Sequence, residues 1–139
     1  QTMAGVEMRY DCYKLMQAQG HDEPTGKAKI TSGYHLPARF VLHTVGPIVQ
    51  GSLTDEHRRL LASCYESCLT LAAEHGLKGV AFCCISTGVF RFPKDEAAHI
   101  AVRTVRHWLD AHPDASIERV VFDVFEDADL LRYERLLYT

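Results

Sequence analysis

Apolar positions along this chain switch repeatedly between helical and strand spacing. Over residues 6–19, Met8, Cys12, Leu15 and Met16 recur at helical intervals, and Gly20 suits the position just past a helix end. Residues 21–26, with Pro24 and Gly26, read as a turn. Residues 27–31 predict a short exposed strand and residues 39–45 a stronger one, closed by Gly46 and Pro47. A long helix follows, capped by Thr54 or Asp55 and ended by Gly76. Its apolar positions are Leu60, Leu61, Cys64, Cys68, Leu69, Leu71 and Ala72.

The run Gly79-Val80-Ala81-Phe82-Cys83-Cys84-Ile85 is almost continuously apolar, as in a central strand covered on both faces. Residues 86–92 form a loop, and Pro93 opens a helix reaching to about His112, with Ala98, Ile100, Ala101, Val105 and Leu109 apolar. Residues 117–125 predict a last strand. Asp127 opens a last helix carrying Leu130, Leu131, Tyr133, Leu136 and Leu137. Strands alternating with helices predict an α/β fold of three layers, helices on both sides of a largely parallel sheet. Ligands of such folds bind beyond the carboxyl ends of the strands.

The chain has 139 residues, enough for one domain, and 47% of them are hydrophobic. Its formal net charge of −3 argues against a broad basic surface for nucleic acid. Phe82, Phe90, Phe92 and Trp108 are not interleaved with basic residues, as stacking on bases would require. The apolar runs are too short to cross a membrane, and the first residues lack the pattern of a signal peptide. The five cysteines, without a Cys-x-x-Cys pair, suggest a reducing compartment and a cytoplasmic location.

The rule of strand ends points to Ile85-Ser86-Thr87-Gly88-Val89-Phe90-Arg91-Phe92-Pro93. Small residues there let the backbone approach a ligand, and the next helix aims its free amides and positive dipole end at the loop. Such a loop suits a phosphate or diphosphate, and Phe90 offers an apolar face for a sugar. A plain connection between strand and helix would have the same composition.

These residues carry a resemblance. Thr25-Gly26-Lys27-Ala28-Lys29-Ile30-Thr31, then Leu36 to Pro47, then Ile85 to Pro93, resemble in order and spacing the core pattern of macrodomains, which bind ADP-ribose. The match extends over nearly the whole chain. Cys83-Cys84, with Leu61 to Tyr65 and Ser67 to Leu69, is most similar to the zinc-dependent bacterial macrodomains that accompany sirtuin-type ADP-ribosyltransferases and lipoylated carrier proteins.

The resemblance implies that Ser86, Thr87, Gly88, Val89 and Phe90 wrap the diphosphate with backbone amides, Phe90 lying on the distal ribose. It implies, more loosely, that Phe125 lies against adenine with Asp123 nearby. The family's adenine-reading Asp, Asn-Ala-Ala-Asn-like segment, glycine-rich first loop and Cys and His zinc ligands all precede the stretch matched by Gln1. A His commonly stands where Gln1 falls. The expectation is therefore a single macrodomain over residues 1–139, incomplete at the N-terminus, with no metal ligands and no assignable catalytic residue of its own. The complete domain is expected to bind zinc and to hydrolyse protein-linked ADP-ribose. The alternative is a non-catalytic reader, and the fragment alone is expected to be inert. Its partners would be ADP-ribose or an ADP-ribosylated protein, not nucleic acid or membrane. An exposed sheet edge would invite association with another chain.

Other groups read as structural. Cys64 and Cys68 share a helix face that His57 approaches, a spacing open to zinc, but small thiols packing the interior fit better. Cys83 and Cys84 point to opposite sides of a strand and read as packed. His43 and His99 read as buried structural histidines, whereas His21, His35, His75 and His112 read as solvated. Asp95-Glu96 fits the first turn of a helix, as do Glu126, Asp127 and Asp129. Arg58-Arg59, Arg103 and Arg106 read as solvated charge.

Overall fold

The computed structural model describes residues 25–32, 40–87, 90–124 and 126–138. The helix expected over residues 6–19 lies outside them. Strands β1 (Ala28–Ser32) and β2 (Phe40–Thr44) pair antiparallel, with Ile30 opposite Leu42. Gly26, at φ +83°, extends this ladder by donating its N–H to Val45 O at 3.0 Å. Its own carbonyl accepts from Ser63 Oγ at 2.9 Å and Ser67 Oγ at 2.8 Å. Those serines are one helical turn apart on α1 (Asp55–Glu74), so one carbonyl fastens the strand pair to the helix.

α1 has well-defined ends. Thr54 Oγ1 accepts from the His57 amide at 3.3 Å, while His57 Nδ1 accepts from the Thr54 amide at 3.1 Å. At the other end Leu77 N–H returns to Ala72 O and Gly76 N–H to Ala73 O, both at 3.0 Å, with Gly76 at φ +66°. That double bond pattern satisfies the last carbonyls of the helix.

β3 (Gly79–Phe82) pairs in parallel with β4 (Arg119–Phe122), Phe82 opposite Phe122. A parallel pair needs a long crossover. Here it is α2 (Lys94–Ala111), and α3 (Asp127–Leu137) follows β4. α1 packs on α2, and α2 on α3. Aromatic rings join the layers: Tyr65 of α1 lies 4.9 Å from Phe82, and Phe122 lies 5.0 Å from Tyr133 of α3. The core of Leu61, Cys64, Leu69, Ile100, Ala101 and Val105 fills the space between helices and strands.

Several expectations change. β3 stops at Phe82, and burial within it alternates, Val80 and Phe82 turning inward. Cys83 is exposed rather than packed, because it lies beyond the paired stretch; Cys84 is half-buried. His99 is exposed because the buried stripe of α2 passes through Ala98, Ala101, Val105 and Trp108, on another face. On α3, Leu130 and Leu131 are exposed, while Asp129 and Tyr133 are buried. Asp129 is held there by Arg132 Nη1 at 2.8 Å. His43 is buried, as expected, and bonds through Nε2 with Thr31 Oγ1 at 2.8 Å.

Candidate functional site

The loop after β3 is tied at both ends. Ile85 is buried and anchors its start. Phe92 N–H donates to Ser86 O at 2.9 Å, and Phe92 is itself buried. Val49 N–H donates to Phe90 O at 2.8 Å, joining the loop to the segment that follows β2. Thr87 Oγ1 donates to Cys84 O at 3.3 Å.

Two residues inside this closure have unusual backbones. Ser86 stands at φ +67° and Arg91 at φ +64°, and among the described residues they are the non-glycine residues with positive φ. Left-handed conformations of such residues cost about 1–3 kcal/mol each and gather at ligand-binding turns. Ser86 Oγ is buried, with no hydrogen-bond partner among the described residues. Phe90 is half-buried. Gly88 and Val89 lie outside the described residues, as does Phe125.

α2 begins directly after this loop, with Pro93 before its first residue and the Ala97 amide bonded to Pro93 O at 2.9 Å. Asp95 and Glu96 would oppose an anion at that helix mouth. Each is engaged by a cation from another element: Arg132 Nε bonds Asp95, and Arg58 Nε bonds Glu96. The same Arg58 reaches Asp55 at 2.6 Å. Lys94 Nζ bonds Glu126 Oε1 at 2.7 Å, holding that carboxyl below its usual range. Reading Arg58 as a solvated charge missed this: Glu96, its partner, is 38 positions away.

Buried groups around β3 are held in their neutral forms. Burial raises the Cys64 thiol, which donates to Val45 O at 3.4 Å. Burial pushes Tyr65 and Tyr133 up as well. A protonated, inward-facing Cys64 is packing material rather than a zinc thiolate, and His57 is occupied with capping α1. Among the described residues no group of three His, Cys, Asp or Glu side chains is placed to hold a metal ion. The Cys and His zinc ligands that the resemblance implies lie outside the described residues. Asp123 is buried at the end of β4, its amide donating to Phe82 O at 2.7 Å. A hollow of about 590 Å³ is lined by His99, Val102, Arg103 and His107 of α2 and Leu136 of α3, and by none of the loop residues. No helix among the described residues is long and apolar enough to cross a membrane.

Comparison with known proteins decides the family. The macro domain family model matches residues 1–101. The chain belongs to the macrodomains. A relative from Treponema medium named protein-ADP-ribose hydrolase is 55% identical over 136 residues, covering 98% of this chain and 51% of its own length. The chain thus spans about half the length of the curated relatives it matches. Among solved structures, a mutant macrodomain of Oceanobacillus iheyensis with ADPR aligns at TM-score 0.77 and 36% identity, over 92% of this chain and 68% of that one. A Trypanosoma brucei macrodomain in complex with ADP-ribose aligns at TM-score 0.74 and 38% identity, over 82% and 46%. This macrodomain has the α/β fold read from its sequence; among the described residues the antiparallel pair β1–β2 and the parallel pair β3–β4 form separate two-stranded sheets.

Proposed function

We propose that the full-length protein binds ADP-ribose and hydrolyses its bond to protein side chains, and that this chain supplies the part of the site that grips the diphosphate and distal ribose. The observation that carries the reading is the loop closed between Ser86 and Phe92, bent by two left-handed residues, at the mouth of α2. Backbone amides gathered in such a turn donate to phosphate oxygens without any net positive charge. The arginines on Asp95 and Glu96 reduce the repulsion those acids would exert on an anion there. The hydrolase name of the Treponema medium relative and the ADP-ribose in the T. brucei structure support the same ligand.

In this reading Ser86, Thr87, Gly88 and Val89 face the diphosphate, Phe90 packs on the distal ribose and Phe125 on adenine. The water-activating groups lie in the rest of the protein, so the isolated chain is inert. We place the protein in the cytoplasm on its cysteine usage.

The test is multiple-turnover release of ADP-ribose from a modified protein by the full-length enzyme, beside calorimetric titration with ADP-ribose. Release together with binding is the expected result. Binding without release would make it a reader, and absence of binding would overturn the ligand assignment.

A further inference from the structure

Gly46 follows β2 and lies against the start of the ligand loop, 40 positions away in sequence. A Cβ built on it would stand 1.8 Å from Ser86 Oγ, 2.7 Å from Ile85 Cγ2 and 3.1 Å from Ser86 Cβ. Gly46 is not among the glycines of positive φ, which are Gly26, Gly51 and Gly76 among the described residues. Its own backbone therefore does not demand glycine; the space beside it does. That space is filled by the Ser86 side chain.

We propose that Gly46 is a positioning residue for the ligand loop, its missing side chain being the recess that seats Ser86 and so sets the direction in which the loop leaves β3. This deepens the ADP-ribose reading and rests on it for the ligand. Ser86 Oγ makes no hydrogen bond among the described residues, so in the recess it acts by its bulk. A rotation of the hydroxyl alone would not relieve a new methyl at Gly46. Ile85 Cγ2 belongs to a buried, β-branched side chain with little rotamer freedom, so the backbone of residues 85–86 must give way. The same segment meets the far end of the loop, where Val49 N–H holds Phe90 O. Residues 46–49 thus touch both ends of the loop and form its floor.

The test uses the full-length protein with Gly46→Ala, with Ser86→Asn and with Gly46→Ala combined with Ser86→Gly. Asparagine tolerates positive φ but overfills the recess. Two readouts are taken: ADP-ribose affinity by calorimetry, and hydrogen exchange without ligand at the Phe92 and Val49 amides. Each single variant is expected to weaken ADP-ribose by about tenfold or more. Each should speed exchange at Phe92 and Val49 by a similar factor, while amides in the middle of α1 keep their protection. The double variant should regain about threefold or more of the lost affinity. A general packing defect would instead speed exchange throughout α1, and that outcome overturns the proposal. So does wild-type affinity and exchange in Ser86→Asn, which decides the matter even where Gly46→Ala does not fold. Should the unaltered protein bind no ADP-ribose, the ligand reading fails by itself, and exchange at Phe92 and Val49 still decides the role of Gly46.

Discussion

Trp108 Nε1 on α2 donates to Thr70 Oγ1 on α1 at 3.2 Å, while the rest of the indole lies in the core. Buried aromatic residues combine a large apolar body with a polar edge that needs a partner. Trp108→Phe removes that bond and part of the volume. Chemical denaturation should show a loss of about 1–3 kcal/mol. Thr70→Val in the same background should then cost almost nothing, which a double-mutant cycle reads directly.

Exposure and thiol chemistry separate the cysteines. Cys64 and Cys68 are buried, and burial raises the Cys64 thiol, whereas Cys83 is exposed. Brief iodoacetamide treatment of the native protein, followed by peptide mass spectrometry, should modify Cys83 well before Cys64 or Cys68. In denaturant all three should react alike. Equal labelling in the native state would contradict the packing described.

The contact between Lys94 and Glu126 makes stability depend on acid. The hydrogen bond from Lys94 lowers the Glu126 carboxyl below its ordinary value. A folded-state value below the unfolded one contributes stability above the unfolded value, and the contribution is lost as pH falls through the folded one. The loss should begin near the ordinary glutamate range, about pH 4–5, and continue below it. Both groups are substantially exposed, so the effect is small and weakens with salt. Melting temperatures measured from neutral to acid pH should fall less steeply for Glu126→Gln than for the natural protein.

Arg132 joins the first turns of two helices, bonding Asp95 of α2 and Asp129 of α3. Asp129 is the more buried of these acids. Arg132→Ala leaves it without that cation and should cost about 1–2 kcal/mol in urea unfolding. Arg132→Lys should restore only part of the loss, because an ammonium lacks the guanidinium fork. In the proposed reading the same change also weakens ADP-ribose, since Asp95 then faces the mouth of α2 without its counter-charge.

Phe90→Ala tests the sugar contact directly. Affinity for ADP-ribose should fall by about tenfold, with the melting temperature changed little because Phe90 is only half-buried. An unchanged affinity would remove Phe90 from the site.

The order and kind of the elements were legible in the sequence because they rest on local causes. The apolar spacing of α1 and α2, Thr54 before the first turn of α1, and Gly76 past its last turn each act within a few residues. The loop after β3 was legible through its match to a family pattern, since small residues at a strand end fit a plain connection equally well. The tertiary structure decided what depends on contacts across the chain. These include the antiparallel sense of β1 and β2, the exposure of Cys83, His99, Leu130 and Leu131, and the engagement of Asp95 and Glu96 by Arg132 and Arg58. The seating of Ser86 against Gly46 belongs with them, because a vacancy beside one backbone has no meaning until the fold brings another chain segment into it.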